Sequence, residues 1–300
     1  MKLAFKWVIG VLVLLVAVTA IAVLVGLKMG EHRRMRVVEV KLPNSPPYAT
    51  DASLRERGRY LYESRGCVLC HGANGAGRDF VNDGKGTHIA GPNITSAGVT
   101  AKYQPQDWDR TVRHGVKPDG RPLMVMPSED YNRFTDVDFS ALVSYVRSLP
   151  PVQGGGAAVV DLPLPARVLY GFGVIPDAAG TIDHSLPPPV PVASGVTVEH
   201  GRYVAAMCVG CHGAHYSGGK IPGGPPDWPA SANLTPGAGS AMVRYPTADA
   251  FAAMFHSGKR PDGTAIGVMP FESFSQMSDI DVRALYVFLK TVPARAAGQR

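Results

Sequence analysis

Two pentapeptides hold all four cysteines of this 300-residue chain: Cys67-Val68-Leu69-Cys70-His71 and Cys208-Val209-Gly210-Cys211-His212. In each, two thiols three residues apart can add to the two vinyl groups of one haem, and the histidine that follows is held under the ring to bind iron axially. Two other chemistries use similar spacing, a thioredoxin-like redox pair and a Cys/His zinc site. A redox pair does not require histidine at the next position in both copies, and zinc needs another arrangement of ligands. The doubled motif therefore predicts two covalently bound haem c groups, carried by Cys67, Cys70, Cys208 and Cys211, with His71 and His212 on the irons.

Each iron then needs a sixth ligand, and in electron carriers a methionine thioether raises the reduction potential by favouring ferrous iron. Met126 and Met269 are the candidates, 55 residues after His71 and 57 after His212, each in a Val-Met-Pro sequence whose proline precludes helix through that point. Met124 is a local rival, but its counterpart is Gly267, so it ranks second. Met207, Met242, Met254 and Met277 have no methionine partner in the first copy and read as packing. His88, His114, His184, His200, His215 and His256 lack exact repeat partners and read as surface or capping residues. Asn93 and Asn233 are candidate donors to haem propionates or, equally, loop caps. Trp108 and Trp228 read as core, with a haem edge as the alternative.

These residues recur because the chain repeats itself with a period of a whole domain. Gly58-Arg59-Tyr60 returns as Gly201-Arg202-Tyr203, Asn93-Ile94-Thr95 as Asn233-Leu234-Thr235, and Pro118-Asp119-Gly120 as Pro261-Asp262-Gly263. Helices are expected before each pentapeptide over 51–63 and 196–207, and in mid-copy over 107–114 and 247–256, where Thr247 is the expected N-cap. Thr135-x-x-Asp138 and Ser278-x-x-Asp281 have capping-box spacing ahead of final apolar helices that stop at proline. The expected organisation is 1–36, anchor and basic flank; 37–150, first haem domain; 151–194, a Pro/Gly-rich surface linker; and 195–300, second haem domain. Within the linker, 166–175 is apolar enough to dock against something.

Residues 7–27 carry no charge and no proline, long enough to cross a hydrocarbon core of about 30 Å as a helix. An uncleaved anchor is preferred to a cleaved signal because apolar residues run past the passable cleavage site at Val18-Thr19-Ala20 for a full span. Of the net charge of +6, +5 lies in residues 1–36, which leaves +1 for the rest of the chain. That balance gives no electrostatic case for nucleic acid.

Together the Cys-x-x-Cys-His motifs, Pro-Asp-Gly turns and Met-Pro loops, over roughly 52–150 and 195–295, resemble membrane-anchored diheme class I c-type cytochromes. They are similar to the cytochrome c subunits of bacterial membrane-bound alcohol and aldehyde dehydrogenases, which usually carry three haems where this chain has two motifs. The resemblance implies an all-α fold of two tandem class I cytochrome c domains behind an N-terminal transmembrane helix. Gly58 and Tyr60, and Gly201 and Tyr203, would lie where the first and last helices of each domain cross. It further implies a single-pass protein of the bacterial inner membrane with its haem domains in the periplasm. The implied role is to pass single electrons as a subunit of a membrane complex, not to catalyse a reaction. Implied partners are a dehydrogenase, a quinol-oxidising complex or a terminal oxidase, and the alternative is a diheme cytochrome c peroxidase.

Overall fold

The computed structural model describes residues 2–42 and 44–300; Met1 of the expected anchor and Pro43 of the expected first haem domain lie outside the described residues. In chain order the elements are α1 (Lys2–Met35), α2 (Ala52–Ser64), α3 (Cys67–His71), β1 (Arg78–Asn82), β2 (His88–Gly91), α4 (Pro105–His114), α5 (Ser128–Tyr131) and α6 (Asp136–Ser148). There follow β3 (Val159–Asp161), α7 (Leu164–Gly171), α8 (Ala178–Thr181), α9 (Val198–Ala205), α10 (Val209–His212), α11 (Ala248–Ser257), α12 (Phe271–Phe274) and α13 (Asp279–Leu289). Helix α1 contains a stretch long and apolar enough to cross a membrane, Phe5–Met35, and its most apolar window is not buried inside the protein.

Two apolar cores follow, one per repeat. In the first lobe α2 packs across α6, and Leu61, Tyr62, Trp108, Phe139, Leu142 and Val146 bury one another. In the second, α9 packs across α13 around Val204, Phe251, Phe255, Leu285 and Phe288. Both crossings need glycine. A Cβ on Gly58 would collide with the Ala141 carbonyl, and one on Gly201 with the Ala284 carbonyl. The repeat of Gly-Arg-Tyr thus marks the place where two helix backbones touch.

The helix starts follow local chemistry. Thr247 caps α11 by accepting from Ala250 N–H, and Thr135 and Ser278 cap α6 and α13 by accepting from Asp138 and Asp281 N–H. The reciprocal half of the capping box does not form, because the Asp138 carboxylate is held by Arg57 and Tyr203, and that of Asp281 by His200 and Tyr60. In mid-copy the first helix begins earlier than expected, at Pro105, where Gln104 and Asp107 form a complete capping box.

The all-α expectation is corrected to a largely helical fold. Antiparallel β1, β2 and β3 form a sheet with β2 central, Arg78 opposite Gly91 and Ile89 opposite Val160. Strand β3 comes from the segment expected to be a plain linker. Three residues are too few for an alternating pattern to be read, and the strand exists because β2 offers an open edge.

Candidate haem-attachment sites

In the first lobe, α3 presents Cys67, Cys70 and His71 on a single short helix. Gly91 lies so close to this helix that a Cβ there would strike the Cys70 carbonyl. The contact sets the next carbonyl, that of Pro92, 2.9 Å from His71 Nδ1. A carbonyl only accepts, so Nδ1 carries the proton and Nε2 keeps its lone pair. In the second lobe His212 Nδ1 donates to the Ala232 carbonyl at 2.8 Å, and Ala232 is the repeat mate of Pro92. Burial pushes both imidazoles below their ordinary pKa, so each ring stays neutral with one nitrogen free to ligate.

The thiols are poor redox groups as they stand. Burial pushes Cys67 and Cys208 up to about 12, and Cys70 and Cys211 up to about 11. Disulfide exchange uses the thiolate, which such values disfavour. No cluster of three or more His, Cys, Asp or Glu residues able to hold a metal ion occurs among the described residues. The residues do fit a covalently attached haem: paired free thiols and a histidine locked in the tautomer that leaves Nε2 open, in both copies.

Met126 packs against the first core and Met269 against the second. The backbone beyond them is nearly superposable. Pro127 has φ −80° and ψ 64°, Pro270 has φ −78° and ψ 65°, and in each case the residue after proline donates its N–H to the methionine carbonyl at 2.8 Å. This is an inverse γ-turn, and proline is pre-set for it because its ring fixes φ. Met207, Met242, Met254 and Met277 are at most 8% exposed and pack into the second core.

Other sequence candidates resolve differently. Asn93 and Asn233 hold their own loops. Each accepts from the threonine two residues on, and their amides donate to backbone carbonyls, Val152 for Asn93 and Ala238 and Arg295 for Asn233. Trp108 is core and its buried indole N–H has no partner among the described residues, whereas Trp228 is half-buried in a loop. The expectation of surface or capping histidines is corrected at two positions. His200 is 2% exposed with Nε2 on Asp281, and His114 is 7% exposed with Nδ1 2.9 Å from His184 Nδ1. Both are buried because a partner far along the chain covers them.

Sequence reasoning missed the residues that join the lobes. The helix after Met126, α5, packs on α10, and Asp130 accepts from the Gly210 N–H of the second pentapeptide at 2.9 Å. Conversely α12, after Met269, packs on α3, and Glu272 pairs with Arg78 at 2.7 Å. Deeper in, Asp281 takes hydrogen bonds from Tyr60 at 2.7 Å, from His200 at 2.7 Å and from the buried guanidinium of Arg65. Burial alone would raise this carboxyl, but the Arg65 charge and these hydrogen bonds pull it down to about 2. No local pattern signals such contacts, although the recurrence of Tyr and Asp at repeat-equivalent positions is a trace of them.

Residues 55–150 match the cytochrome c family. Over a longer reach the chain is 26% identical to the fructose dehydrogenase cytochrome subunit of Gluconobacter japonicus, covering 80% of this chain and 53% of that protein. It is 28% identical to the gluconate 2-dehydrogenase cytochrome c subunit of Pantoea cypripedii, covering 84% and 62%. A shorter stretch is 35% identical to the cytochrome c subunit of the quinone alcohol dehydrogenase of Gluconacetobacter polyoxogenes, covering 33% and 22%. The chain therefore spans about half to three-fifths of the length of the first two relatives.

Proposed function

We propose that this chain, with a cytochrome c domain over residues 55–150, is a membrane-anchored diheme electron-relay subunit of a respiratory oxidoreductase complex. Two tandem cytochrome c domains, 37–150 and 195–300, each hold one haem c. Cys67 and Cys70, or Cys208 and Cys211, would hold it through thioethers, and His71 with Met126, or His212 with Met269, would ligate its iron. The bound haem supplies one-electron chemistry.

The observation that carries this reading is the doubled pairing of a tautomer-locked histidine with a Met-Pro inverse γ-turn. The Pro92 and Ala232 carbonyls hold the histidine rings and raise their basicity as ligands. The inverse γ-turns fix the methionine backbones, so that little reorganisation accompanies a change of charge. Because the two sites share one plan, neither is marked as an open, substrate-binding centre, which favours a carrier over a peroxidase.

Electrons would enter from a dehydrogenase, as the names of the relatives suggest, or from a quinol-oxidising complex, and would leave to a downstream acceptor such as a terminal oxidase. Covalent haem attachment outside the bacterial cytoplasmic membrane would place residues 37–300 in the periplasm with α1 crossing once.

The test is a potentiometric titration of purified protein followed by optical and electron paramagnetic resonance spectra, with haem counted per chain. Two low-spin haems with positive potentials and thioether-to-iron charge-transfer absorption are expected. A single haem, or one high-spin centre, would overturn the two-site carrier.

A further inference from the structure

We infer that α7, the short helix between the two lobes, lies in the headgroup boundary of the bilayer that α1 spans, with one apolar edge sunk among the lipids. The inference rests on reading α1 as a membrane anchor.

Helix α1 continues to Met35, eight residues past the end of the uncharged run at Leu27, so its last two turns stand clear of the hydrocarbon. Helix α7 crosses it at that level. Space for the crossing comes from Gly26, Gly30 and Gly171, and a Cβ on Gly171 would collide with the Gly26 carbonyl.

The same glycines orient α7. A Cβ on Gly26, at the end of the apolar run, would meet Val168 Cγ1 at 2.8 Å and Phe172 Cε2 at 3.0 Å. A Cβ on Gly30, one turn further from the membrane, would instead meet the Arg167 carbonyl oxygen at 3.2 Å, with Gly171 Cα at 3.6 Å. Leu164, Val168 and Phe172 are spaced by four and form one helix edge, which therefore faces the bilayer side. The opposite side is polar. The Tyr170 hydroxyl donates to Asp177 at 2.9 Å, Arg33 lies over the Tyr170 ring at 5.3 Å, and Arg36 pairs with Asp177 at 2.5 Å.

Leu164, Leu169, Phe172 and Val174 are 41–62% exposed to solvent, an unusual concentration of large apolar side chains on so short a segment. At the same level of α1, on faces turned away from α7, Leu24 and Val25 are also exposed and belong to the spanning stretch. That shared level names lipid as the occupant, since the patch has both the depth and the apolar chemistry of the lipid-facing stretch beside it. Lys28 on α1 and Arg167 on α7, both exposed, stand at the level of lipid phosphates.

The docking has a structural effect beyond anchoring. Asp177 begins α8, which packs on α5, the helix immediately after Met126. Val38 N–H also donates to the Gly120 carbonyl at 2.9 Å. The first lobe is thus held at a set height and tilt over the membrane.

The full-length chain is placed in phosphatidylcholine and phosphatidylglycerol nanodiscs containing a phospholipid with a diazirine near the head of one acyl chain, then irradiated and mapped by mass spectrometry. Adducts are expected in both 7–27 and 164–174. Adducts in 7–27 with none in 164–174 overturn this inference and leave the anchor intact. No adducts in 7–27 overturn the anchor reading and the inference with it. In a second arm, L169Q/F172Q with an unchanged visible spectrum should lose labelling of 164–174 by roughly fivefold or more, the factor that corresponds to about 1 kcal/mol. Labelling equal to that of the unsubstituted chain would overturn the inference.

Discussion

Tyr60 in the first lobe donates its hydroxyl hydrogen to Asp281 in the second at 2.7 Å, and Tyr203, its repeat mate, donates to Asp138 at 2.6 Å in the reverse direction. Each hydroxyl also accepts from the backbone of the helix cap it faces, Ser278 N–H for Tyr60 and Thr135 N–H for Tyr203. The aspartates are the third residues of α6 and α13, so a helix start in one lobe is held by the first lobe-forming helix of the other.

The two halves of this exchange differ in depth. Asp281 neutralises Arg65, whose side chain is 3% exposed, whereas Asp138 neutralises Arg57, whose side chain is 30% exposed. Asp281→Ala leaves a buried, unpaired guanidinium and should cost about 3–5 kcal/mol. Asp138→Ala should cost about 1–3 kcal/mol, since Arg57 can turn to water. Urea unfolding in detergent, followed by circular dichroism, measures both, and equal costs would contradict the burial argument.

Acid should weaken the chain in two stages. His114 is held down to about 4, first by burial and then by His184, Arg113 and Arg110, against an ordinary value of 6.5. Between those values the unfolded chain binds a proton that the folded chain refuses. Stability present above pH 6.5 is therefore lost as pH falls toward 4, by about 3 kcal/mol. Asp281, at about 2 against an ordinary 3.8, adds a second loss of about 2 kcal/mol as pH falls from 4 toward 2. In unfolding free energies measured against pH, His114→Gln should flatten the upper stage alone.

Replacing either proposed thioether ligand should change one haem and spare the other. Met126→Ala is expected to remove that site's share of the charge-transfer absorption. It should also lower one potential by a sizeable part of the roughly 0.8 V that axial ligands command. Met269→Ala should do the same to the second site. Met124→Ala should leave both spectra and both potentials unchanged; a loss of charge-transfer absorption in that variant would move the ligand to Met124.

Gly58→Ala and Gly201→Ala both insert a methyl group between touching helix backbones, and each should cost about 1–3 kcal/mol or more. Thermal unfolding monitored in the haem absorption band would show whether one lobe loosens before the other.

What could be read beforehand follows from how local each cause is. Thr247 caps α11 through a bond to a residue three positions on, and the Met-Pro turns close over three residues, so their causes lie inside the motif. The crossing at Gly58 follows from the resemblance to class I cytochromes, and the returning Gly-Arg-Tyr places it in both copies. Tyr60 and Asp281 are 221 residues apart, and His200 finds its partner 81 residues away. Nothing near His200 distinguishes a buried imidazole from an exposed one. Strand β3 and the docking of α7 likewise depend on surfaces supplied by distant segments, the edge of β2 and the glycines of α1.

The Tyr–Asp exchange has the form of an isologous contact, in which a residue of one copy meets a second residue of the other and the mates of both meet in turn. Two identical subunits joined in this way by a two-fold axis cannot alter one half of the contact without altering the other. A single chain carrying both copies can. Arg57 and His200 fill equivalent places beside the two aspartates, and Gln104 and Thr247 start helices whose fourth residues are Trp108 and Phe251. One chain that carries both copies thus keeps the reciprocal contact while the surroundings of each Cys-x-x-Cys-His site differ.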